Sequence, residues 1–182
     1  RIKGTANTNA SACVEVTVAE GDKKTFEDIT VTGYSGVYDG KAHGITVNGL
    51  PEGATVKFGT IEGIYNSGDS ITFTDFTNGA KTVYVKVSKE NYNDWTGNAT
   101  VTIAKSTPAV PDGLAGVKPS EFGKSDGKIT GTTAAMEYSK TEDFTSAIDC
   151  ADTEVTGLAA GIYYVRIKGT ANTNASACVE VT

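Results

Sequence analysis

The chain is poor in the residues that most enzymatic chemistry needs. Its 182 residues include one histidine, one methionine, one tryptophan and three cysteines. The lone His43 has no cysteine or second histidine at metal-ligand spacing, and without such partners neither a zinc site nor a Ser/His/Asp set can be assembled around it. A C-x-x-C pair is absent, which removes dithiol redox chemistry. No D-x-[DN]-x-[DN]-G loop occurs, and Ser125-Asp126-Gly127 reads as a hairpin turn instead of a calcium loop. The expectation is a protein without catalytic residues, cofactor or metal.

Other absences narrow the class further. No run of about 18 apolar residues exists, so no helix of this segment is expected to enter a membrane, and no charged-then-apolar leader opens the chain. Targeting and anchoring signals are therefore expected in parts of a parent protein outside this segment. Basic residues number 16 against 22 acidic ones, giving a net charge of −6 and a pI near 4.8. They are scattered instead of gathered into a stripe, which argues against nucleic acid as a partner. No stretch keeps a helical period through three turns.

What is present points to strands and turns. Glycine occurs 21 times, while Thr, Val and Ala recur in short alternating runs. The segment Lys105 to Gly113 gathers Pro108 and Pro111 with small residues and a turn signal, and it separates two strand-rich halves. Each half is small enough, at about 80 to 90 residues, that a thin core leaves it only modestly stable.

The most informative pattern is a repeat. Residues 1–17, RIKGTANTNASACVEVT, return unchanged as residues 166–182, an offset of 165. Identity over 17 consecutive positions points to recent duplication and to a parent tiled from near-identical units. The chain divides into residues 1–17, a closing strand copied from the preceding repeat; residues 18–105, a first module; and residues 106–182, a second.

In the first module Val83, Val85 and Val87 alternate with Tyr84 and Lys86, and Ala99, Val101 and Ile103 alternate with Thr100 and Thr102. That is the signature of an antiparallel pair, here joined by Ser88 to Asn98. Ile29–Thr32, Gly44–Val47, Ala54–Phe58 and Ile71–Phe76 supply further strands, about six in all. The second module offers Gly127–Gly131, Ala135–Ser139, Thr153–Thr156, Gly161–Lys168 and Ala175–Val181. Tyr163, Val165 and Ile167 are predicted to face the core opposite Ala177, Val179 and Val181, with Gly169–Asn174 as the hairpin loop.

The run Tyr38-Asp39-Gly40-Lys41-Ala42-His43, followed by Gly49 to Val56, Val83 to Lys86 and Asn91-Tyr92-Asn93-Asp94, resembles the YDG-containing immunoglobulin-like repeats of bacterial surface proteins. Ile129 to Thr133, Met136 to Ser139 and Gly157 to Arg166 resemble the fibronectin-III-like or immunoglobulin-like modules that alternate with them. The resemblance implies two small antiparallel β-sandwich modules in tandem, within an extracellular stalk or adhesin anchored at a cell surface. A β-grasp-like topology satisfies the same pattern in the first module.

Three side-chain groups invite functional readings. Cys13 and Cys178 hold the same repeat position, so each unit carries one pair, Cys150 and Cys178; a disulfide between them or two free thiols are the alternatives. Tyr34, Tyr38, Tyr92 and Trp95 could form an aromatic platform for sugar, or pack over a sandwich end. The partners expected are the adjacent identical repeats, with strand exchange through residues 1–17, and a glycan or host surface protein held weakly and multiplied by avidity.

Overall fold

The computed structural model describes residues 1–182. Fifteen β-strands and no helix make up the chain. They form several small, largely antiparallel sheets around two separate hydrophobic cores, one in each half.

In the first half the strands are β1 (Thr30–Thr32), β2 (Tyr34–Val37), β3 (His43–Gly44), β4 (Thr46–Asn48), β5 (Thr55–Gly59), β6 (Thr72–Phe73), β7 (Lys81–Ser88) and β8 (Trp95–Ala104). The main sheet runs β2-β8-β7-β5, and the smaller pairs β1-β4 and β3-β6 cover its inner face. Alternation does the sorting, because successive side chains of a strand point to opposite faces. Val83, Val85, Val87 and Val101 are completely buried, while Thr82, Tyr84 and Lys86 between them stay partly exposed. The β7-β8 register sets Val83 opposite Ala99 and Val87 opposite Trp95. Ile29, Val31, Val47, Ile71 and Phe73 close the core from the other layer. This module holds no helix, and its two small pairs pack across one face of the four-stranded sheet.

Strand β2 was not evident in the sequence. It pairs parallel to β8, with Tyr34 beside Val101 and Val37 beside Ala104. Gly33 is what admits the approach: a Cβ there would lie 2.1 Å from the Thr100 carbonyl oxygen. The expected Gly44–Val47 strand is broken into β3 and β4 around the buried Ile45.

The second half holds β9 (Ala115–Val117), β10 (Gly127–Thr130), β11 (Met136–Ser139), β12 (Ile148–Asp149), β13 (Glu154–Leu158), β14 (Tyr163–Ile167) and β15 (Val179–Val181). One sheet is β13-β10-β9 and the other β12-β11-β14-β15. Ile129, Met136, Cys150, Val155, Leu158, Tyr163, Val165 and Val181 fill the space between them, with Ile167 packed against their edge. Tyr163 and Val165 face inward as expected, opposite Val181 and Val179.

Ala177 does not face the core. The chain pairs Val179 with Val165, yet the next contact back is Ser176 N–H to the Ile167 carbonyl at 3.0 Å. Three residues on one side thus answer two on the other, a bulge that turns Ser176 inward and Ala177 out. Buried Ser176 is satisfied because its Oγ accepts the Ile167 N–H at 2.9 Å and donates to the Ala177 carbonyl.

Residues 1–17 belong to neither core and are exposed throughout.

Candidate functional site

The most developed polar constellation in the molecule is the joint between its halves. The loop Thr170–Asn174 between β14 and β15 is closed by its own threonines. Thr170 N–H donates to the Thr173 carbonyl at 2.9 Å, the two hydroxyls lie 2.9 Å apart, and Thr170 Oγ1 accepts the N–H groups of Asn172 and Thr173. This frees Asn172 to work outward. Its Oδ1 accepts the Phe76 N–H at 2.9 Å and its Nδ2 donates to Asp75 Oδ1 at 2.8 Å. An Asn side chain suits this role because it carries donor and acceptor on one short stem.

The linker joins the same contact. Ser106 N–H donates to the Asn172 carbonyl at 3.2 Å, and Asn174 N–H donates to the Ser106 carbonyl at 2.8 Å. Asn174 Nδ2 reaches Thr107 Oγ1 at 3.1 Å, and Lys105 Nζ reaches the Thr170 carbonyl at 3.0 Å. Lys105 also lies over the Phe76 ring, 5.4 Å from its centroid. Loop, linker and the Asp75–Phe76 turn are thus tied into one clamp. The loop and the linker are each legible in the sequence but their union is not, since hydrogen bonds between residues so far apart in the chain leave no periodic trace.

The clamp loop is part of the repeated tract, and its shape is locally encoded. In residues 1–17 the Thr5 N–H again meets the Thr8 carbonyl at 3.0 Å, the Thr5 and Thr8 hydroxyls lie 2.8 Å apart, and Ser11 Oγ accepts the Ile2 N–H at 2.8 Å. The same turn forms with nothing to clamp.

The four aromatic residues do not make one platform. Tyr34 sits beside Val101 and Trp95 beside Val87, which separates them by six positions along β8, about 20 Å. All four are half-buried; Tyr34, Tyr38 and Trp95 pack against the first core. Tyr34 stacks on His43 with ring centroids 3.7 Å apart. Tyr92 pairs with Phe26 at 4.8 Å, with Lys24 and Lys89 over its ring. It borders an open polar cleft formed by Lys23 to Asp28, Gly49 and Pro51.

The Tyr38-Asp39-Gly40 turn has a structural role. Asp39 Oδ1 accepts the Lys41 N–H and meets His43 Nε2, both at 2.9 Å, while Gly40 adopts φ +75°. The His43 contact first, then the Lys41 N–H, holds the Asp39 carboxyl below its ordinary range. Asp94 is lowered by Lys86 and Ser88, Asp126 by Ser120, and Asp143 by Thr141 and Thr145. A folded-state pKa below the unfolded value adds stability that is present above the unfolded pKa, about 3.9, and lost as pH falls through the folded one. Melting temperature is therefore expected to hold steady from neutral pH to about 5 and to drop below about 4. Asp39→Asn should make that acid limb shallower for the first half only, the remainder coming from Asp94, as read by Trp95 fluorescence across a pH series.

The Cys150–Cys178 disulfide is not formed; all three cysteines are free thiols. Sheet register explains why. Cys178 follows the bulge next to β15, Cys150 lies against Met136 beyond β12, and β14 and β11 stand between those two edge strands. Three strand spacings of about 4.8 Å far exceed the roughly 7 Å Cα limit of a bridge. Cys150 is buried in the core, which pushes its thiol pKa up, whereas Cys178 is half-buried.

At the far end of the second half from the clamp, a groove of about 350 Å³ opens between β9 and the Leu158–Tyr163 turn, bordered by Val117, Ile129, Leu158, Ile162 and Val181. Beside it, Phe122 stands fully exposed on the loop before β10.

No protein-family model and no curated protein matches this chain. Among solved structures it is similar to SGBP-B of the mixed-linkage glucan utilization locus of Bacteroides ovatus, solved in complex with a mixed-linkage heptasaccharide. The match has a TM-score of 0.25 and 16% identity, and it covers 94% of this chain and 46% of the other. The chain thus spans about half the length of that protein, and so loose a superposition says nothing of what this chain binds.

Proposed function

We propose that this chain is one period of an extracellular bacterial surface array, acting as a stalk or spacer that projects other parts of its parent from the cell. The supporting observation is the clamp: the tract that returns after 165 residues carries the loop that fixes one module to the next. A spacer needs its joints more than any surface of its modules. Catalysis has no place in this reading, and the parent is anchored through regions beyond this segment. Tandem chains of one, two and three periods test it. The largest dimension in small-angle scattering should grow by a constant step per period, whereas a coil would grow with about the square root of length.

The second reading is a repeat that itself holds glycan or host protein weakly, with avidity from many copies. Its one support is the open cleft beside Tyr92. Titration of the single period with oligosaccharides, followed through Tyr92 and Trp95, separates the two: saturable shifts at millimolar ligand favour binding, and their absence favours the spacer.

A further inference from the structure

One cleft of the second module gathers aromatic and polar groups that the fold itself does not use. It opens between the loop after β11 and the end of β13, holds about 420 Å³, and has all its walls between Ser125 and Tyr163. Small-ligand sites span roughly 300 to 1,000 Å³. Tyr138 and Tyr163 line it, with ring centroids 6.2 Å apart and planes tilted by 56°. The Tyr163 hydroxyl is occupied, since it donates to the Ala159 carbonyl at 3.0 Å. The half-buried Tyr138 has no such partner: burial alone leads the causes that push its phenol pKa up, and no hydrogen bond is among them. No buried side-chain oxygen or nitrogen in the molecule goes unpaired. The free Tyr138 hydroxyl is therefore reached from outside, through the cleft that Tyr138 lines.

The facing wall is built to hold its shape. Asp143 Oδ1 accepts the Thr141 hydroxyl at 2.6 Å, and the Thr145 N–H and hydroxyl both at 3.1 Å. Ser139 Oγ accepts the Thr141 N–H at 3.1 Å. Between these threonines Phe144 is buried at φ +54°, a left-handed backbone that bulky residues rarely adopt. The Arg166 guanidinium lies 3.9 Å over the Phe144 ring, and Arg166 Nε donates to Glu137 Oε1 at 2.6 Å. Strain pinned by this many contacts fixes where Thr141 and Thr145 stand on the cleft wall. Both hydroxyls give their protons to Asp143, so toward a ligand they accept. Lys140, with Nζ 5.8 Å from the Tyr163 ring centroid, and the Tyr138 hydroxyl supply donors.

Rings beside a mixed set of donors and acceptors suit one class of ligand. A metal cation needs acceptors alone and an inorganic anion needs donors alone, whereas every sugar hydroxyl does both and the C–H face of a sugar packs on an aromatic ring. We propose that this cleft binds one or two sugar residues of a neutral glycan, packed against Tyr138 and hydrogen-bonded to its hydroxyl, Lys140, Thr141 and Thr145. The site goes beyond the stalk reading, because it gives each period of an array a glycan contact multiplied by copy number. It lies in the other module from the Tyr92 cleft, and the two are separable by position.

Titration of the whole chain with cellobiose, maltose, lactose and chitobiose, with sulfate as the anion control, is followed by NMR. At least one disaccharide is expected to give saturable shifts at millimolar concentration in Tyr138, Lys140 and Thr145, with Tyr92 unmoved. Tyr138→Phe keeps the ring and removes one hydrogen bond, so it should weaken binding about fivefold. Ser146→Trp, at an exposed position on the rim, should fill the cleft and abolish the shifts. Shifts confined to the surroundings of Tyr92 would overturn this site and leave the glycan reading of the function standing, whereas no shift with any disaccharide would overturn both. Shifts that sulfate reproduces, that Ser146→Trp leaves intact, or that keep full affinity in Tyr138→Phe would each overturn the site.

Discussion

Gly131→Ala should unfold the second module well below the temperature at which the first one melts. Gly131 turns the chain from β10 in one sheet to β11 in the other, and it does so at φ +80°. A Cβ there would lie 2.2 Å from the Gly113 carbonyl oxygen, and the obstacle is backbone that cannot swing aside. The position is also tied down, because Gly131 N–H and Thr132 N–H both donate to the Thr153 carbonyl. The buried Thr132 hydroxyl holds the Asp152 carbonyl at 2.6 Å. Left-handed strain and the clash together cost about 3 kcal/mol. A module of this size has a total stability of roughly 4 to 10 kcal/mol, so its melting temperature should fall by about 15 °C. The sole tryptophan, Trp95, belongs to the first core and the sole methionine, Met136, to the second. Trp95 fluorescence should keep its transition while the Met136 methyl signal in NMR loses its dispersion early. Simultaneous loss of both would show that the cores are not independent.

Asn172→Asp is expected to unlock the joint without melting either module. The substitution keeps shape and removes the donor that meets Asp75, setting two carboxylates against each other where a 2.8 Å hydrogen bond had been. Losing that bond and weakening the Phe76 contact costs about 2 kcal/mol before repulsion is added. That shifts the closed-to-open ratio of the joint about thirtyfold. The loop itself should persist, since its closure rests on Thr170 and Thr173. Separate tumbling times for the two modules in 15N relaxation, with both melting temperatures unchanged, are the expected readout. Asn172→Ala should act in the same direction and more weakly. A common tumbling time in the Asp variant would mean that the clamp does not set the angle.

Only interactions with a short period leave a pattern in the letters. The β7-β8 pair was legible because Val83, Val85 and Val87 alternate across a half-buried sheet, and their complete burial follows from period two alone. Strand β2 was hidden because Tyr34-Ser35-Gly36-Val37 is short, contains glycine and pairs with the distant β8. Strands β9 and β12 are exposed edges with no buried face to imprint a pattern. The inward turn of Ser176 defeats alternation by one extra residue. Counting cysteines suggested a bridge, yet the pairing order of four strands forbids it. Residue type alone groups the tyrosines with Trp95, whereas β8 sets Tyr34 and Trp95 toward its two ends.

The parallel β2-β8 pairing has a mechanical meaning. The chain enters the main sheet along β2 and leaves it along β8, and the two strands lie side by side over four residue pairs. Tension on the two ends drags these neighbours past each other along their length, so their hydrogen bonds share the load at once instead of opening one by one. A module wired in this way behaves as a lap joint under pull, not as a zipper.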